Sequence, residues 1–198
     1  MFAWLSPKPA LTPRDVDRGL RMLLFSGSFG QIMVSLTGGA FLVAFALLLG
    51  ASNKTIGVLS AIGPLAQVVQ IPSVFLVDRT RRRKLLVVLG AGVVRIGWVV
   101  VALVPWLAPE PARLPMLLGL LLVLSCFASM VGCAFNSWIR DLVPEERMGS
   151  YFARRMAVSI AVGAVFSLAA GVGIDQWKGR GGDELVGYAI LFGAGALF

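Results

Sequence analysis

The chain has 198 residues, 58% of them hydrophobic and only 14% charged, and its formal net charge is +8. That balance excludes an ordinary soluble domain. The absence of histidine excludes His-based acid–base catalysis, His metal ligands and Ser-His triads.

Residues 1–19 are polar and proline-rich, not the short apolar core of a cleavable signal peptide. Thr12-Pro13-Arg14-Asp15 reads as a helix start, with Thr12 capping, Pro13 at the first helical position and Asp15 completing an acidic capping box. Arg14, Arg18 and Arg21 follow on one face, suited to lipid phosphates. A first membrane span is expected over 22–49. It carries Ser28, Gln31 and Ser35 at helical spacing, together with Gly27, Gly30, Gly38 and Gly39. Such a polar stripe faces either a neighbouring helix or a water-filled path.

A second span is expected over 55–77, with Gln67 and Gln70 on one face and kinks at Pro64 and Pro72. Then comes Val77-Asp78-Arg79-Thr80-Arg81-Arg82-Arg83-Lys84. An Arg or Lys at mid-depth costs at least about 2.5 kcal/mol, so this run is read as a tight hairpin at a membrane surface. The third span, 85–107, holds Arg95, the one charged residue expected deep in the membrane. An inward-facing, hydrogen-bonded Arg95 is expected there.

Residues 108–113 read as a proline-rich loop. The fourth span, 114–139, bears Ser125, Ser129 and Cys133 at i, i+4 and i+8, continued by Asn136. Cys126 and Cys133 on one helix would be about 10.5 Å apart, too far for a disulfide. A charged loop from Trp138 to Gly149, ending in Arg154 and Arg155, leads to a fifth span over 156–174. There Gly163, Ser167 and Gly171 form a small-xxx-small packing ridge. A sixth apolar stretch runs from Leu185 to Phe198 and is shorter than a full crossing of roughly 30 Å. The expectation is a sixth span cut short.

The expected cytoplasmic segments hold four, five and four Lys/Arg. The expected outer loops together hold four: Lys54, Arg113, Lys178 and Arg180. That bias places the N-terminus, the basic hairpin and the Arg140–Arg155 segment in the cytoplasm. The cations flank apolar spans, so anionic lipid and topology account for them better than nucleic acid does.

Six spans with a basic hairpin after the second and a charged loop after the fourth resemble the N-terminal half of a major facilitator superfamily transporter. Asp78, Arg79, Arg83 and Lys84 match that family's motif between spans two and three. Val74 and Arg81 stand where it has glycines. The stretch from Asp141 to Gly149 is similar to the family's loop after span four. The resemblance implies an all-α polytopic fold, a six-helix bundle of two inverted three-helix repeats. Ile174-Asp175-Gln176-Trp177-Lys178-Gly179-Arg180 echoes Val77-Asp78 and the cations after it, as such a repeat would.

The resemblance further implies a secondary-active carrier moving a small solute by alternating access, with no cofactor and no metal. A C-terminal six-helix bundle would be a further partner, absent from this chain. The cavity would be lined by Ser28, Gln31, Ser35, Ser125, Ser129 and Asn136. Asp78 and the adjoining cations would act as a gate, and Arg95 as a helix brace in preference to an anion-binding group. The six spans contain no Asp or Glu, so carboxylate-based proton coupling would have to come from the other half. The glycine-proline signature of drug/proton antiporters does not occur around Gly163 to Gly173. The competing expectation is a non-transport scaffold, or a half-size subunit working only as an oligomer. An enzyme is not expected. The location implied is the cytoplasmic membrane of a bacterium.

Overall fold

The computed structural model describes residues 13–80, 83–143 and 145–198. All regular structure among them is helical: α1 (Pro13–Thr37), α2 (Gly39–Leu48), α3 (Asn53–Ala66), α4 (Gln70–Thr80), α5 (Arg83–Leu107), α6 (Glu110–Leu142), α7 (Glu145–Gly179) and α8 (Glu184–Ala196). Five stretches are long and apolar enough to cross a bilayer: Met22–Leu48, Asn53–Phe75, Leu85–Leu107, Glu110–Ser137 and Met148–Gly179. Many of their large apolar side chains, such as Phe25, Phe75, Ile96 and Leu168, are exposed. An apolar exterior of this kind belongs in lipid. The protein is an all-α, polytopic membrane protein.

Two expected spans are each built from two helices. In the first, Gly39 takes φ +55°, a left-handed conformation that only glycine adopts without strain, and this separates α1 from α2. In the second, α3 and α4 are joined by a 3₁₀ turn, Gln67–Val69. It lies between Pro64 and Pro72, each of which removes one amide donor from the ladder. The turn carries a short hydrogen bond between the Gln67 and Gln70 side chains.

The charged segment after the fourth span differs from its expectation as a loop. α6 runs to Leu142 and α7 starts at Glu145, so almost all of it is helix. Pro144 forces the residue before it out of the helical region, and Val143 accordingly sits at φ −93°, ψ 121°. Helices of 33 and 35 residues are about 50 Å long, so α6 and α7 extend past the hydrocarbon. The expected loop over 108–113 is likewise shorter, because α6 begins at Glu110.

The main packing pairs are α5 with α6 and α8, α1 with α7 and α8, and α6 with α3 and α4. Facing residues give their directions. Gly27 meets Arg155 while Ser35 meets Gly163, so α1 and α7 run parallel. Gly90 meets Val131 and Gly97 meets Leu124, so α5 and α6 are antiparallel. Trp98 meets Phe192 while Arg95 meets Phe198, so α5 and α8 are antiparallel as well.

Two buried clusters mark the ends of the molecule. One joins Phe45, Leu59, Val101, Leu117, Ile174, Tyr188 and Phe192. Its centre is aromatic: the Phe192 ring lies edge-on to Phe45 and to Trp98, with centroids 5.1 and 5.6 Å away. The other joins Leu23, Ile139, Val143 and Tyr151.

Candidate functional site

The polar stripe of α1 turns toward α7. A Cβ at Gly163 would stand 2.7 Å from Oγ of Ser35 and 3.3 Å from Cγ of Gln31. Both polar residues therefore lie along the close α1–α7 contact. Ser28 donates from Oγ to the carbonyl of Leu24, 2.9 Å away on its own helix, which satisfies a hydroxyl in apolar surroundings without a second helix. Thr37 does the same with Met33 at 2.8 Å and is buried.

On α6, Ser129 is buried, Ser125 is half-buried and Asn136 is exposed. Among the described residues no hydrogen bond joins this stripe to that of α1. The main partners of α6 are α5, α3 and α4, whereas those of α1 are α7 and α8.

Arg95 is half-buried in α5. Its guanidinium donates to the carbonyl of Phe198 at 2.6 Å and to that of Ala91, one turn back, at 3.3 Å. The Phe198 ring lies between Phe29 of α1 and Phe166 of α7, with centroids 6.0 and 5.8 Å away. Arg95 thus ties α5 to the residues that follow α8.

In the basic hairpin Arg79 is exposed. Arg81 and Arg82, and the side chains of Asp78, Arg83 and Lys84, lie outside the described residues.

The turn from α7 to α8 is tightly built. Asp183 caps α8 by accepting from the Leu185 amide at 2.8 Å. Trp177 donates from Nε1 to the Asp183 carbonyl at 2.8 Å. Lys178 pairs with Glu184 at 2.8 Å, and its Nζ lies 5.9 Å from the Tyr188 ring centroid.

The chain matches no protein family, no curated protein and no solved structure. Chemistry must therefore be read from the side chains. Among the described residues no three His, Cys, Asp or Glu side chains converge.

Sequence reasoning missed one constellation, formed by Tyr151 and Arg155 of α7, Phe135 of α6 and Gly27 of α1. Arg155 lies over the Phe135 ring, 4.9 Å from its centroid, and its Nε is 3.1 Å from where a Cβ at Gly27 would stand. The signal was present in the spacing, since residues 151 and 155 share one face of any helix through them. Reading the segment as loop concealed it.

Proposed function

We propose that the chain is the N-terminal six-helix half of a major facilitator-type secondary transporter, moving a small solute by alternating access. The observation that carries this reading is the pattern of helix partners. Span one (α1, α2) pairs with span five (α7), and span two (α3, α4) pairs with span four (α6). Span three (α5) pairs with span six (α8) and with span four, while span one also pairs with span six. Exchanging each span with the one three places on maps these pairs onto one another, as expected of two inverted three-helix repeats.

The sequence echo adds support: Val77 and Ile174, each directly before its Asp, are both buried. On this reading α8, with 13 residues, belongs to the sixth span. The N-terminus and basic hairpin are cytoplasmic, the solute is the small-molecule partner, and the protein is not an enzyme.

The test is uptake by proteoliposomes holding residues 1–198, alone and joined to whatever reading frame continues past Phe198. Uptake that needs the longer chain supports a carrier half. Saturable uptake by residues 1–198 alone supports instead a half-size subunit acting as an oligomer. One observation fits both readings: only 11% of the most apolar stretch of α7 is buried, leaving a long face for a second bundle or a second copy. Uptake by neither leaves the scaffold reading.

A further inference from the structure

At the end of the bundle where α1 and α7 begin and α6 ends, an unpartnered hydroxyl and a cation with no ion pair among the described residues lie one helical turn apart. Tyr151 is 7% exposed, and its hydroxyl is buried with no hydrogen-bond partner. Buried hydroxyls are nearly always partnered, because water is lost without replacement otherwise. Arg155 follows at i+4, half-buried. Neither ion pair found among the described residues involves it.

Arg155 is held with its Cζ over the Phe135 ring, 4.9 Å from the centroid. Gly27 leaves the room its guanidinium occupies, since any side chain there would crowd Nε at 3.1 Å. A guanidinium held over a ring keeps N–H donors available, and a pair of them matches two oxygens of a phosphate. Leu23, Ile139 and Val143, all buried, wall the cluster with apolar atoms. Apolar walls strengthen any charge interaction made there.

We infer that Arg155 and Tyr151 form a site for one phosphate-bearing anion, Arg155 supplying the paired donors and the Tyr151 hydroxyl a further one. Exposed Arg140 and Arg154 lie near it in the chain, on the charged extensions of α6 and α7, which is the depth of lipid headgroups in a membrane protein. The site rests on the membrane-spanning reading and is independent of transport. A phospholipid headgroup and free phosphate offer it the same chemistry.

The experiment uses residues 1–198 in a maltoside detergent, which carries no phosphate, alone, with phosphatidylglycerol added, or with inorganic phosphate added. Thermal unfolding is followed by tryptophan fluorescence and retained lipid by native mass spectrometry. Wild type is expected to respond to one of the two anions. Arg155→Gln should abolish the response, and Tyr151→Phe should weaken apparent affinity about tenfold. Exposed Arg154→Gln should respond as wild type does. A response to phosphatidylglycerol but not to phosphate assigns a lipid headgroup, whereas a response to phosphate assigns a soluble anion. In detergent alone, Tyr151→Phe should be at least as stable as wild type, because no bond is lost. Equal responses of wild type, Tyr151→Phe and Arg155→Gln to both anions overturn the site. So does marked destabilisation of Tyr151→Phe in detergent alone, which would mean that the hydroxyl already has a partner in the protein.

Discussion

Gly163 faces Ser35 so closely that a Cβ added at the glycine would stand 2.7 Å from the serine Oγ. The α1–α7 contact therefore depends on the missing side chain. Gly163→Val should destabilise the protein by about 1–3 kcal/mol, the usual range for overpacking. Ser35→Gly in the same chain should recover part of that loss, because it removes the atom struck. Thermal unfolding of both variants and the double variant decides this. Additive losses would mean the two residues do not share the contact.

Arg95 joins α5 to the end of α8 through the Phe198 carbonyl. A hydrogen bond from a charged donor is worth about 1.5–3 kcal/mol. Arg95→Met, which keeps much of the stem and drops the fork, should lower stability by an amount in that range. Arg95→Lys should recover only part, since one ammonium lacks the planar fork that reaches both Phe198 and Ala91. Unfolding midpoints in detergent give the answer, and identical midpoints for all three proteins would remove the bracing role.

Orientation is tested by labelling. In a background with Cys126→Ser and Cys133→Ser, Thr80→Cys should resist impermeant thiol reagents in intact cells, and Gly179→Cys should react. The two positions end α4 and α7, which lie at opposite faces if the cationic bias governs insertion. The reverse pattern would falsify both the orientation and the carrier reading.

In a full-length carrier, Asp78→Asn is expected to shift the inward–outward balance by about ten- to a hundred-fold, the equivalent of one charge-assisted bond. Transport should fall, while the intrinsic affinity of the favoured state stays nearly unchanged. Accessibility labelling at both faces, measured beside the transport rate, checks it. If neither changes, Asp78 belongs to the topology signal alone.

The order of the five long apolar passes was legible because long hydrophobic runs admit little other than helices in lipid. Breaks within and between them were legible only in part. Pro64 and Pro72 bracket the 3₁₀ turn of the second span, and a missing amide donor is visible in sequence. The break at Gly39 was not legible, because Gly30 and Gly63 sit in equally apolar runs and stay helical. Which glycine turns left-handed depends on tertiary neighbours. Charge misled the reading after Leu142: a run rich in Arg and Glu has ample helix propensity, and only Pro144 interrupts it. Among the candidate site residues, spacing placed Gln31 and Ser35 on one face correctly. It could not say that α7, through Gly163, would occupy that face.

The left-handed joint at Gly39 divides the allegiance of the first pass. Below it, α1 lies along α7, with Gly27 at Arg155 and Ser35 at Gly163. Above it, α2 is pinned by Phe45 among the aromatic rings of Tyr188 and Phe192. No unbroken ladder of backbone hydrogen bonds connects the two segments, so the pass is an articulated strut and not a piston. Across that joint α8 acts as a splint, with Gly195 against Leu36 and Thr37 of α1 and Phe192 against Phe45 of α2.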